Sequence, residues 1–215
     1  MSGEIAGSSD KIYYQVFDGV FRTKVHADYP DAIRRINKNK VEVFEREVRA
    51  LFGKIENVAL EDSDFGKQIK ITLDANEEGK HPVLSFGVES KNGRDVLRKL
   101  PALDFSKEVR IMPYRFTPEG ESEEKSGISF TQKDEDGKFT VKIDNHFFDP
   151  VEKKVLHDFP VIDWDSASES EQKIYKIKRD EFLVEYLKTN TLPKFATAPT
   201  KPVEYPENNL GEPVF

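Results

Sequence analysis

The feature that most restricts this chain is a change of hydrophobic period between residues 41 and 116. Three extended segments come first, a short helical signal interrupts them, and a fourth extended segment follows. Residues 65–73 alternate cleanly, with Phe65, Ile69, Ile71 and Leu73 on one side and Gln68, Lys70 and Thr72 on the other. That is the period-2 pattern of a half-buried strand. After a turn at 76–80, residues 81–89 place Leu84, Phe86 and Val88 on one face. From 92 to 103 the period lengthens. Val96, Leu97 and Leu100 share a helical face, Asn92 is placed to cap the start, and Pro101 ends the run. Residues 107–116 return to alternation, Val109 and Ile111 opposing Arg110, Met112, Tyr114 and Phe116. Pro113 predicts an edge position or a bulge there.

The flanks are read the same way. Residues 1–10 are small and polar and are expected to be disordered. Residues 11–24 predict a hairpin turning at Asp18-Gly19. Residues 25–40 lose strand character and end in Arg34, Arg35, Lys38 and Lys40 with no acid among them, a basic patch on a loop or short helix. Residues 41–58 mix helical and extended spacings; β-branched residues and Gly53 favour one long strand bent at the glycine. A polar loop at 117–127 holds Glu119, Glu121, Glu123 and Glu124, and a second hairpin, 128–132 with 138–143, turns across Asp134 to Gly137. Past an irregular stretch at 149–165, Ser168-x-x-Glu171 is a capping box. It starts an amphipathic helix to about Asn190, with Ile174, Ile177, Phe182, Leu183, Tyr186 and Leu187 as its stripe. That stripe packs on the β domain or on another subunit. Residues 191–215 contain five prolines and predict a flexible tail.

This order predicts a mainly β chain: an OB-fold-like five-stranded barrel with an added N-terminal hairpin over residues 11–150. A linker and helix follow over 151–190, then a Pro-rich acidic tail over 191–215. A length of 215 residues suits one substantial core. The chain has no cysteine, no apolar run of spanning length and no secretory signal at its start, so an intracellular setting with no membrane partner is expected. Net charge is −7, yet residues 10–115 carry 20 Lys/Arg against 18 Asp/Glu, and residues 116–215 carry 13 against 21. The acidity therefore lies outside the expected barrel, and a polyanionic ligand stays open.

Catalysis finds no support. His26, His81, His146 and His157 are scattered without metal-ligand spacing, and no phosphate-cradling glycine loop or nucleophile elbow is present. No enzyme activity, metal or cofactor is expected. Binding is better served: a basic groove with aromatic platforms holds single strands. Arg110, Tyr114 and Phe116 share a strand face with Arg115 beside them, and Lys54, Lys67, Gln68 and Lys70 lie on neighbouring segments. Arg34, Arg35, Lys38 and Lys40 would extend the groove. Phe44, Phe52, Phe86 and Phe130 are read as core, and Arg94, Arg98 and Lys99 as a solvated helix face.

The runs Phe52-Gly53-Lys54-Ile55, Phe65-Gly66-Lys67-Gln68-Ile69 and Leu100-Pro101-Ala102-Leu103-Asp104-Phe105-Ser106-Lys107-Glu108-Val109 resemble bacteriophage-type single-stranded DNA-binding proteins of the OB-fold class. The likeness spans about residues 11–148. It implies sequence-tolerant binding of single-stranded DNA, with RNA open, in DNA replication, recombination or repair, in a bacterial cytoplasm if phage-encoded. The chain end, with Glu212, Pro213 and Phe215, is similar to the acidic, aromatic-terminated tails of replicative single-strand-binding proteins, which implies recruitment of replication or recombination proteins. Acids are sparse in this tail, and a plain disordered end is the other reading. The alternative for the whole chain is a structural or scaffolding protein, of viral or other origin, that forms a homo-oligomer through the 168–190 helix and has no nucleic-acid ligand.

Overall fold

The computed structural model describes residues 10–196, except Lys38 and Phe65. Thirteen strands and two α-helices follow in order: β1 (Lys11–Phe17), β2 (Val20–Lys24), β3 (Ile33–Ile36), β4 (Glu42–Val48), β5 (Leu51–Gly53), β6 (Ile55–Ser63), β7 (Gly66–Leu73), β8 (His81–Gly87), α1 (Lys91–Lys99), β9 (Val109–Phe116), β10 (Lys125–Lys133), β11 (Phe139–Lys142), β12 (Phe148–Asp149), β13 (Lys154–Val155) and α2 (Glu169–Tyr186). They build a seven-stranded sheet in the order β3-β4-β2-β1-β8-β7-β6, a four-stranded sheet β11-β10-β9-β5, and the small pair β12-β13. The chain is mainly β, as expected.

The Asp18-Gly19 hairpin forms as read, both residues taking positive φ (53° and 78°) to suit the twist of a two-residue turn. The alternation in β7 buries Ile69, Ile71 and Leu73, and β8 buries Leu84 and Phe86. One continuous core joins these to Val96, Leu97 and Leu100 of α1, Ile111 of β9, Ile128 and Phe130 of β10, and Leu183 of α2. The helix therefore packs on the β layers.

Several expectations are corrected. The predicted bent strand at 41–58 is three strands: β4 pairs with β2 and β3, β5 with β9, and β6 with β7. Gly53 does mark the bend. Its φ is +146°, and a Cβ there would lie 2.2 Å from Asp74 Oδ1, which accepts from the Lys54 N–H. The loop or short helix expected at 25–40 contains β3, an edge strand on β4. Helix α1 is capped by Ser90, whose Oγ accepts from the Gly93 N–H, and not by Asn92. Pro113 lies past the part of β9 that β5 pairs, where one edge of β9 has no strand beside it among the described residues. In α2 the capping box is present, but the apolar stripe divides: Leu183 and the following Leu187 are buried, whereas Ile174 and Ile177 are exposed. At the tail boundary, Leu192–Lys194 form a helical turn and Phe195 packs edge-on against Phe105 at 4.8 Å.

The sheets do not close a barrel. The expected five-stranded barrel would close with β8 beside β10, and both strands are otherwise engaged there. β8 pairs in parallel with β1, from Lys11 opposite His81 to Tyr14 opposite Leu84. The edge of β10 is sealed by α1. Asp95 Oδ2 accepts from the Ile128 N–H at 2.7 Å, and Lys99 Nζ donates to the Ile128 carbonyl at 2.6 Å. The two side chains form an i,i+4 ion pair of 2.8 Å and together replace the hydrogen bonds of an absent strand.

Candidate nucleic-acid interface

The strand alternation places Arg110, Met112, Tyr114 and Phe116 on the outer face of the four-stranded sheet, opposite the buried Val109 and Ile111. Cross-strand register adds Phe52 beside Arg110, Ser129 beside Met112, Gly127 beside Tyr114 and Lys125 beside Phe116. Tyr114 and Phe116 rings lie 6.0 Å apart, and Phe52 and Phe139 form a second pair at 5.3 Å. Gly127 makes room for the first pair, since a Cβ there would come within 2.7 Å of the Tyr114 hydroxyl oxygen. Phe52 and Phe116 are each 52% exposed. Phe52, read from sequence as core, is therefore part of the surface, whereas Phe86 and Phe130 are buried as read.

Charge on this face is arranged around Arg110. It makes no ion pair among the described residues, and its Nη2 reaches only the Thr131 hydroxyl at 3.4 Å. Lys91 Nζ donates to Ser126 Oγ, again with no carboxylate partner among the described residues. Lys125, Lys133 and Lys142 are paired with Glu121, Glu108 and Asp144, respectively, at 2.7–3.0 Å. Such partly exposed pairs are worth about 0–1 kcal/mol each, so a phosphate can displace them cheaply. Lys133 also lies 5.3 Å from the Phe139 ring centroid. A groove of roughly 730 Å³ runs along Tyr114, Phe116, Lys91 and Lys142, with Glu123 and Glu124 at its rim. Burial, and then the nearby Asp95, raise the Tyr114 phenol above its ordinary pKa, so it stays neutral.

The other expected site residues fall elsewhere. Arg115 points away from Tyr114 and is held between Glu124 and Asp18, tying β9 to the β1–β2 turn. The hydrogen bond that Arg115 donates to Glu124, then the Asp18 charge, raise its pKa further. Arg34 and Arg35 sit on β3, at the far edge of the larger sheet, paired with Glu42 and Glu45. Lys40 lies exposed in the turn that follows, and Lys38 is outside the described residues. This basic patch does not extend the groove; the acids that answer it come from the adjacent strand β4, which the local sequence conceals. Lys54 is exposed at the β5–β6 corner, and Lys67 pairs with Asp62. Gln68 and Lys70 face outward from the larger sheet, Lys70 bonding Glu61 at 2.5 Å. Glu212, Pro213 and Phe215 are outside the described residues. Of the expected set, the structure brings together Arg110, Tyr114 and Phe116.

The larger sheet offers a second, more compensated aromatic face. Arg22 and Arg35 both lie over the Phe17 ring, at 4.0 and 5.1 Å, but Glu45 and Glu47 pair with them. No group of three or more metal-ligating side chains occurs among the described residues, and no described helix is long and apolar enough to cross a membrane. Comparison of the chain with protein-family models, with curated proteins and with solved structures finds no match.

Proposed function

We propose that the chain is a non-catalytic, sequence-tolerant single-stranded DNA-binding protein of replication, recombination or repair. The strand crosses the outer face of β9, β10 and β5. One observation carries this reading: two aromatic pairs, Phe52–Phe139 and Tyr114–Phe116, share one accessible sheet face with Arg110, a cation without a carboxylate partner among the described residues. Bases stack on the Tyr114–Phe116 and Phe52–Phe139 pairs, while phosphates meet Arg110, Lys91 and Lys142. Phe116 is six positions along β9 from Arg110, about 20 Å of strand, which suits the short end of known single-strand site sizes, about four nucleotides. The run β6-β7-β8-α1-β9-β10, with β5 and β6 bending across both sheets, supports an open relative of the OB barrel in which β1 and α1 occupy the two edges that closure would join.

Fluorescence anisotropy with oligo-dT at low salt tests this, with oligo-U as the RNA arm. Binding that weakens with salt, and about 5- to 100-fold further in Tyr114→Ala with Phe116→Ala, is the expected result. No binding by the parent at low salt removes the proposal. Removal of residues 197–215 tests the tail as a competitor for the same face; tighter binding is expected.

A second reading, assembly through α2, is favoured by Ile174 and Ile177, which are 51% and 59% exposed. Ile177→Glu would then convert an oligomer to a monomer in light scattering.

A further inference from the structure

Helix α1 carries a second cationic surface, separate from the sheet face. Lys91, Asp95 and Lys99 recur every four residues and turn towards β10, whereas Arg94 and Arg98 lie on another side of the helix. Arg94, Arg98 and Arg179 gather where α1 meets α2. Asp180 answers two of them, accepting a bidentate pair from Arg94 at 2.8–3.2 Å and the Nε of Arg179 at 2.9 Å.

Arg98 is left over. Among the described residues it makes no ion pair and its Nε is buried without a hydrogen-bond partner; its guanidinium lies over the face of Phe159, 5.6 Å from the ring centroid. Burial, and then the neighbouring Arg179, lower its pKa from the ordinary guanidinium value. A half-buried cation without a counter-ion is costly to keep, and an anion would relieve it.

Arg98 lines a groove of about 230 Å³ between α1, α2 and residues 145–164. Trp164 and Tyr175 meet there edge to face, 5.5 Å apart at 85°, and form a right-angled aromatic corner. Asn145 stands at the rim. Its Oδ1 already accepts from the Phe147 N–H, so its amide hydrogens are what it has left to offer.

We propose that this groove binds a nucleoside monophosphate, the phosphate on Arg98 and the base in the Trp164–Tyr175 corner. Three properties of the groove select that class. An unanswered guanidinium selects an anion, and phosphate suits its planar fork. An indole 48% exposed, with a second ring perpendicular to it, takes a flat ring by stacking. The groove is small, about 230 Å³, which suits a single nucleotide. The site stands independently of the single-strand reading of the sheet face.

Trp164 is the only tryptophan of the chain, so its fluorescence reports on this groove alone. The intact protein is titrated with dTMP, with thymidine and with inorganic phosphate. Saturable quenching by dTMP is expected, about 10-fold weaker binding of thymidine, and competition by phosphate. Arg98→Gln should lose dTMP binding by about 10-fold or more while melting no lower than the parent, since it removes an uncompensated charge. Absence of saturable quenching by dTMP, equal binding of thymidine, or undiminished binding by Arg98→Gln would overturn the proposal. Should Arg98→Gln fail to fold, Trp164→Leu decides. Loss of the melting-temperature rise that dTMP gives the parent supports the site, and retention of that rise overturns it.

Discussion

Asp95→Ala should unzip the edge at which the β-layers fail to close. The Asp95 carboxylate accepts from the Ile128 N–H at 2.7 Å and from Lys99 Nζ at 2.9 Å. Ile128 is fully buried, so alanine leaves its amide unsatisfied where water does not reach. An orphaned buried donor costs about 1–3 kcal/mol, and a bond to a charged acceptor contributes about 1.5–3 kcal/mol, two estimates of the same loss. Lys99 keeps the Ile128 carbonyl but loses its ion pair, about 0–1 kcal/mol more at this partial exposure. The expected destabilisation is about 2–3 kcal/mol, or roughly 5–10 °C in melting temperature for a chain of this size. Asp95→Asn retains an acceptor for Ile128 and should cost about 1 kcal/mol. Urea unfolding gives the energies, and amide exchange at Ile128 locates them. A cost below about 0.5 kcal/mol for alanine, with the Ile128 amide still protected, would refute the role assigned to α1 as a surrogate strand.

Further outcomes concern the sheet face and the α2 anchorage. In Gly127→Ala the new methyl would lie 2.6 Å from Asp95 Oδ2 and 2.7 Å from the Tyr114 hydroxyl oxygen, so the ring must move. About 1–3 kcal/mol of stability and part of the oligo-dT affinity should go together, checked by melting and anisotropy. Burial raises the Asp180 pKa, but hydrogen bonds from Arg94 and Arg179 outweigh it and hold the carboxyl below its ordinary value. Its contribution is therefore full above the ordinary carboxylate pKa and lost as pH falls through the lowered one. Parent and Asp180→Asn should converge in stability at acid pH, as measured by urea titration. His146 has its pKa lowered by burial first, then by His157 and Lys194, and its Nε2 lies 2.8 Å from the Tyr186 hydroxyl oxygen. The folded state prefers the neutral ring, so stability is full above the unfolded histidine pKa of about 6.5 and declines as pH drops below it. In His146→Gln the slope of stability against pH in that range should flatten.

Local pattern carried the sequence reading a long way. The Asp18-Gly19 turn, the alternation in β7 and β9, the helix between the third and fourth predicted strands and the Ser168–Glu171 capping box each depend on neighbours within a few residues. What escaped depends on partners far along the chain. Nothing near Lys11 announces that β1 runs parallel to β8, and nothing near Lys99 announces a carbonyl of β10 as its acceptor. The run from Arg34 to Lys40 looked uncompensated because Glu42 and Glu45 arrive by cross-strand pairing. Phe52 is read as core from its apolar ring, and the register with Arg110 turns it outward. His146 and His157 lack metal-ligand spacing in the sequence, yet their rings stack at 4.2 Å through the fold of residues 145–159. Within the candidate site, the period-2 face of β9 was legible, and its aromatic neighbours from β5 and β11 were not.

The parallel contact between β1 and β8 also dictates an order of events. Lys11 and His81 are separated by about 70 residues, whereas β6, β7 and β8 are joined by short turns. Closing a long loop is slow compared with zipping a local meander. As the chain emerges from a ribosome, the β1–β2 hairpin is made before β8 and can dock on it only once β8 has followed. Until β8 exists, β1 presents an unpaired edge bearing Tyr13 and Phe17, and the Asp18–Arg115 clasp can form only after β9 has been made. The N-terminal hairpin is thus formed through local contacts and docked through distant ones.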